Sequence, residues 1–206
     1  LPRMTNDQIV AAFAAQITPD VKIVHITHLI NWNGHILPCK RIADLAHAVG
    51  AQTVVDGAHS FAHIQYAIPD LGADYFGTSL HKWLCAPFGS GLLYVKKDHI
   101  AMLYPHLASG EPESPDIRKF ESLGTRSFAI EQAIGQALDF QYSIGNQLKQ
   151  DRLQYLKSYW TNAVKDHPKI HINTDTHADR SCALCIVNMD GRKPTELGEA
   201  LHNQFK

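Results

Sequence analysis

Cysteine is scarce. The chain of 206 residues has four, Cys39, Cys85, Cys182 and Cys185, too few for a disulfide scaffold, which points to a reducing, cytoplasmic setting. Cys182 and Cys185 form a C-x-x-C pair, but no second ligand pair stands at zinc-site spacing. The pair lies in an apolar run from Ser181 to Val187, so both are expected as buried structural residues. No apolar run is long enough to span a bilayer, so no membrane partner is expected. The formal net charge of −1 provides neither a basic field for nucleic acid nor an acidic tail. There is no G-x-G-x-x-G and no P-loop, which removes support for a dinucleotide or nucleoside triphosphate site. A serine-hydrolase elbow of the G-x-S-x-G kind is also missing. The 13 histidines are scattered. His25, His28 and His35, or the i, i+4 pair His59 and His63, lack an acidic partner in a recognised pattern, so no metal is expected.

What the chain does have is an alternation of β-branched runs and amphipathic stretches. Asn6 to Gln16 carries Ile9, Val10 and Phe13 at helical spacing. Val21 to Ile26 reads as a strand, Pro38 to Val49 as a helix closed by Gly50, and Thr53 to Asp56 as a strand buried on both faces. A short helix or turn follows from Ser60 towards Tyr66, and then strands at Tyr75 to Ser79 and Gly91 to Lys96. Ala101 to Pro115 is loop-rich; Ile130 to Tyr142 and Gln147 to Val164 read as helices. Ile170 to Ile172 and Ala183 to Val187 read as strands and Pro194 to Phe205 as a helix. This order predicts an α/β fold with a mostly parallel sheet flanked by helices. Residues 1–146 are expected to form the large domain, 147–165 a linking helix, and 166–206 the start of a small α/β domain. The chain opens at Leu1 inside one helical pattern and stops just after another, which reads as a fragment of a longer protein.

In open α/β sheets ligands sit beyond the carboxyl ends of the strands. Asn31, then Asp56 and His59, then Ser79, His81 and Lys82 all fall at such ends. Asp56 is either a cap for the following turn or a functional acid. Lys82, before Trp83 and Leu84, is either a lysine with a solvated head or a nucleophile in apolar surroundings. Ser79 and His81 could donate to a phosphate. An acid at a ring nitrogen and an amine at an aldehyde carbon are together what pyridoxal phosphate requires.

Four landmarks carry a family resemblance: Asn31-Trp32-Asn33-Gly34; Val54-Val55-Asp56-Gly57-Ala58-His59; Gly72-Ala73-Asp74-Tyr75; and Ser79-Leu80-His81-Lys82 followed by Pro87-Phe88-Gly89-Ser90-Gly91. With Gly124-Thr125-Arg126 further on, they resemble the class V aminotransferase family of fold-type I pyridoxal-phosphate enzymes, and His59 in particular the isopenicillin N epimerase-like branch. The resemblance implies that Lys82 forms the internal aldimine and Asp56 pairs with the pyridine nitrogen. It also implies that His59 and Asn31 approach the phenolic oxygen, and that Ser79 and His81 hold the phosphate. Thr125 would reach the phosphate of a neighbouring subunit, which implies a homodimer. Leu80 departs from the family's usual glycine, and the segments that complete the phosphate cup and hold the substrate carboxylate are not among these residues. The implied activity is aminotransfer or epimerisation at the α-carbon of an amino acid. The alternatives are a cysteine desulfurase or selenocysteine lyase-like reaction, and an inactive truncated domain serving as a binding or assembly module.

Overall fold

A computed structural model describes residues 4–205. The main sheet has four strands in the order β1-β2-β3-β4: β1 Ile23–Thr27, β2 Gln52–Asp56, β3 Tyr75–Ser79 and β4 Gly91–Val95. β1, β2 and β3 are parallel, and β4 returns antiparallel to β3. This is the mostly parallel α/β sheet that the order of elements predicts.

Side-chain alternation decides which face is covered. Val24, Ile26, Thr53, Val55, Phe76 and Thr78 are buried on one face. Two helices cover it, α1 (Asn6–Ala14) and α2 (Cys39–Ala48). α1 begins with a reciprocal cap. The Thr5 hydroxyl accepts the Gln8 N–H at 3.2 Å, and the Gln8 side-chain oxygen accepts the Thr5 N–H at 2.8 Å. α2 presents Ile42, Ala43 and Ala46, each fully buried, and its small alanines let the helix lie close to Ile26, Val55 and Phe76. Burying each large side chain here contributes about 1.5–3 kcal/mol.

The opposite face is covered only in part. Tyr75, Val95 and Ile100 form a cluster there with Val54, Leu103 and Phe120. Beyond that row, Asp56, Gly77 and Ser79 are only half-buried. The expectation of a β2 buried on both faces is therefore corrected: Val54 is half-buried, because packing over this face stops before the carboxyl ends.

At the other end of the sheet Asp74 is buried as a polar hub. Its carboxylate accepts the Thr53 N–H at 2.8 Å and the Thr53 hydroxyl at 3.1 Å, and lies 2.8 Å from His47 Nε2. Lys96 and His99 stand 3.7 and 3.8 Å from its other oxygen.

Two long helices follow, α3 (Ala129–Ile144) and α4 (Asn146–Val164), joined at Gly145, whose φ of 86° suits glycine. β5 (Ile170–Ile172) and β6 (Val187–Met189) make a separate antiparallel pair before α5 (Pro194–Gln204). The strand expected from Ala183 to Val187 is thus displaced towards the carboxyl terminus. Its early backbone donors are taken by side chains: Ala183 N–H donates to His63 and Ile186 N–H to the Thr174 hydroxyl. Among the described residues no helix is long and apolar enough to cross a membrane.

Candidate active site

The register of the sheet sets Thr27, Asp56 and Gly77 side by side at its carboxyl edge. The backbone continues this pairing, with His28 N–H donating to Asp56 O at 2.9 Å and Gly57 N–H to Gly77 O at 2.8 Å. Asp56 Oδ1 accepts the Ala58 N–H at 2.8 Å, so the capping reading is correct for that oxygen. No hydrogen bond among the described residues engages Oδ2. The two readings of Asp56 are compatible, because one oxygen caps the turn while the other remains available.

From Asp56 the chain enters turns rather than a helix, and His59 is half-buried within them. Its Nδ1 is buried without a hydrogen-bond partner. Burial lowers the pKa of His59, the Lys82 ammonium lowers it further, and the Asp56 carboxylate opposes both. His59 therefore lies close enough to Lys82 and to Asp56 to feel the charge of each.

Lys82 sits on the hairpin between β3 and β4. Leu80 N–H donates to Ser90 O at 3.1 Å, Cys85 N–H to Lys82 O at 3.1 Å, and Ala86 N–H to Leu80 O at 3.1 Å. Leu80 and Leu84, both buried, pack with Ala86 against Ala137 of α3. Leucine at position 80, where the family usually has glycine, is thus an anchor of this hairpin. Lys82 is half-buried between the two leucines in sequence. His81 lies 5.2 Å from Phe88, ring centroid to ring centroid, and its Nδ1 is also buried without a partner.

An open depression of about 370 Å³ lies over this face, lined by His25, Val54, Asp56, Gly77 and Ser79, among others. A Cβ at Gly77 would meet nothing within 4 Å, so its bare backbone forms part of the floor. Asn31 and Thr125 are both exposed, Asn31 in the turn after β1 and Thr125 on the segment before α3. The depression brings Asp56 and Ser79 together, His59 feels the charges of Lys82 and Asp56, His81 adjoins Lys82 on the hairpin, and Asn31 and Thr125 are exposed.

Pyridoxal phosphate fits this donor set. Asp56 offers a free carboxylate oxygen, Lys82 an amine, and His59 and His81 buried nitrogens that lack partners. Sequence reasoning missed two neighbours, Trp83 and His63, whose rings stack with centroids 3.8 Å apart. The i, i+4 spacing of His59 and His63 was the available signal, but it suggested a shared helical face. Instead His63 Nδ1 bonds the His59 carbonyl oxygen at 2.8 Å across a turn.

The cysteines match their expected role in part. Cys39 and Cys182 are buried, and burial pushes their thiols up to about 12 and about 11 respectively. Cys185 is partly buried and Cys85 is exposed.

The mostly parallel sheet with flanking helices is the large-domain architecture of the pyridoxal-phosphate transferases. A solved C-DES variant with glycine covalently linked to its PLP cofactor shares the fold at a TM-score of 0.80 and 21% identity, over 95% of this chain and 54% of its own. Residues 3–206 match the family model described as aminotransferase class-V, and the chain belongs to that family. The family's cofactor is pyridoxal phosphate. Isopenicillin N epimerase of Amycolatopsis lactamdurans is 27% identical over all of this chain and 56% of its own length. A cysteine desulfurase of Haloferax volcanii is 31% identical over 91% of this chain and 46% of its own. The chain spans about half the length of these curated relatives.

Proposed function

We propose that this chain is the cofactor-binding core of a pyridoxal-phosphate enzyme acting at the α-carbon of an amino acid, by aminotransfer or epimerisation. The observation that supports this reading is an open depression at the strand ends lined by Asp56 and Ser79, with His59 close enough to feel the charges of Asp56 and Lys82. When bound, the cofactor supplies an electron sink that loosens the bonds at that carbon. Asp56 Oδ2 would hold the ring nitrogen protonated by charge pairing, while Oδ1, bonded to the Ala58 N–H, fixes the carboxylate's orientation. Lys82 would be the covalent anchor and the base that moves the α-proton. With the cofactor bound, His59 would stand towards its phenolic oxygen, Asn31 would approach from the exposed turn after β1, and Ser79 and His81 would hold the phosphate.

The homodimer belongs to the same proposal. Phe88 and Phe140, 83% and 56% exposed, line one open depression against α3, and Phe128 just before that helix is 61% exposed. Thr125 precedes this helix, where it can cross to a partner's phosphate.

The test is borohydride reduction of the full-length protein with added pyridoxal phosphate, followed by peptide mapping. A reduced adduct on Lys82 that vanishes in Lys82→Ala is the expected result. An adduct on another lysine, or none, overturns the reading.

A further inference from the structure

His63 is 1% exposed and has no part in the chemistry above. Its imidazole is held on three sides. Ala183 N–H donates to Nε2 at 3.0 Å, and Nδ1 lies 2.8 Å from the His59 carbonyl oxygen. The ring stacks on Trp83 with centroids 3.8 Å apart and planes 24° apart. An amide N–H can only donate and a carbonyl can only accept. The tautomer is therefore fixed, with the hydrogen on Nδ1 and the lone pair on Nε2. A second proton would set Nε2–H against the Ala183 N–H. Burial pushes the His63 pKa down to about 4; the bond to the His59 carbonyl opposes it, and the charges of Lys149, His59 and Lys157 press it further down. The imidazole is thus a neutral donor–acceptor with fixed polarity at working pH.

Its partners matter because of where they lead. The His59 carbonyl belongs to the residue whose side chain senses Lys82 and Asp56. Trp83 follows Lys82 directly. The Trp83 backbone is held in turn, since the Lys149 ammonium donates to the Trp83 carbonyl and, at 2.9 Å, to Gln141 Oε1. Ala183 belongs to the segment after α4. That segment also touches the loop holding Asn31: Thr174 donates to Asn33 O at 2.6 Å and Ile36 N–H to Arg180 O at 2.8 Å.

We propose that His63 is a positioning residue. It clamps the turn of His59 to the hairpin of Lys82, and both to the Ala183 segment, and so fixes the spacing of the acid–histidine–lysine group. A buried ring that merely filled space would not need hydrogen bonds of opposite polarity to two separate segments. The consequence for chemistry rests on the pyridoxal-phosphate reading, whereas the clamp itself does not.

The test uses the full-length protein and three variants: His63→Phe keeps a stacking ring without hydrogen bonds, His63→Gln keeps a donor and an acceptor without the ring, and Trp83→Phe weakens the stack from the other side. Hydrogen–deuterium exchange is read first, without cofactor. In His63→Phe, peptides covering 57–63, 80–86 and 181–185 should exchange about tenfold faster or more, by loss of local protection, with β1 and α2 unchanged. His63→Gln should recover much of the 57–63 and 181–185 protection, and Trp83→Phe should loosen 80–86 most. With pyridoxal phosphate added, the pH midpoint of the visible band of the Lys82 adduct should move by about half a unit or more in His63→Phe, as the group's spacing relaxes. Faster exchange spread evenly over all strands, or an unchanged 80–86 peptide with an unchanged midpoint, would show a core residue only and overturn the proposal. Wild type without a reducible Lys82 adduct would defeat the cofactor reading, and the exchange pattern would still judge the clamp.

Discussion

The ring of Phe76 lies against the backbone of Gly57. A Cβ built at Gly57 would stand 2.0 Å from Phe76 Cζ, although Phe76 is itself fully buried at the centre of the core. Gly57→Ala must therefore displace a core aromatic or bend the chain just after Asp56. The expected cost is about 3 kcal/mol, by overpacking, with the urea midpoint lowered. Pairing it with Phe76→Leu should restore part of the loss. If Gly57→Ala alone unfolds like wild type, the contact is softer than it looks.

Asp56 separates two jobs on two oxygens. Asp56→Asn keeps an oxygen for the Ala58 amide and removes the charge; Asp56→Ala removes both. Stability should change little for Asn and fall by about 1 kcal/mol for Ala, the usual worth of such a cap. Activity should fall about a hundredfold or more in both, because a preorganised charge is lost in each. Equal unfolding midpoints for Asn and Ala would show that the cap does not contribute.

Acid should weaken the fold in two stages. Burial holds the folded pKa of His28 and His63 at about 4, against 6.5 when unfolded. The unfolded chain then binds more protons between these values, so this stability is complete above pH 6.5 and is lost as pH falls towards 4. At about 1.4 kcal/mol per tenfold change in proton affinity, each histidine is worth up to about 3 kcal/mol. Asp74 acts lower. Burial raises its pKa, but hydrogen bonds from His47 and Thr53 outweigh that and leave it below 3.8. Its contribution is present above pH 3.8 and is lost as pH falls through the folded value. Urea unfolding from pH 7.5 down to about pH 2 should show both stages, and His28→Phe should flatten the first by about half.

Thr125 offers a test of two chains sharing one site. Thr125→Ala and Lys82→Ala should each lose activity, and mixed dimers should regain about a quarter of wild-type activity if each chain lends its threonine to the other, since half the dimers in an equal mixture are mixed and each of those holds one intact site. Mixing with no recovery, with dimers confirmed by sedimentation, would mean that Thr125 acts within its own chain or not at all.

Much of this was legible in the sequence, for local reasons. β2 ends where a β-branched run meets Asp56, and α2 shows in the spacing of Ile42, Leu45, Ala46 and Val49. The edge that gathers Asp56, Ser79 and Lys82 followed from strand ends alone. What stayed hidden depends on distant partners. Residues 183–186 look like a strand, but their donors go to His63 and Thr174. Val54 looks fully buried, but whether its face is covered is decided by Ile100, Leu103 and Phe120. His63 shows in the sequence only its i, i+4 spacing from His59, and the fold alone brings Trp83 and Ala183 against it.

The reversal of β4 has a mechanical consequence. Because β4 runs antiparallel, Gly91 at its start pairs with Ser79 at the end of β3, and the segment between them is stitched shut by Leu80 to Ser90. Lys82 thus rides on a loop whose two ends are fastened at the same point of the sheet, with Leu80 and Leu84 pressed into α3. Such a loop cannot swing as a lid without unzipping two strands. Any travel of the amine must come from the four methylenes of the lysine itself, a short tether on a fixed post.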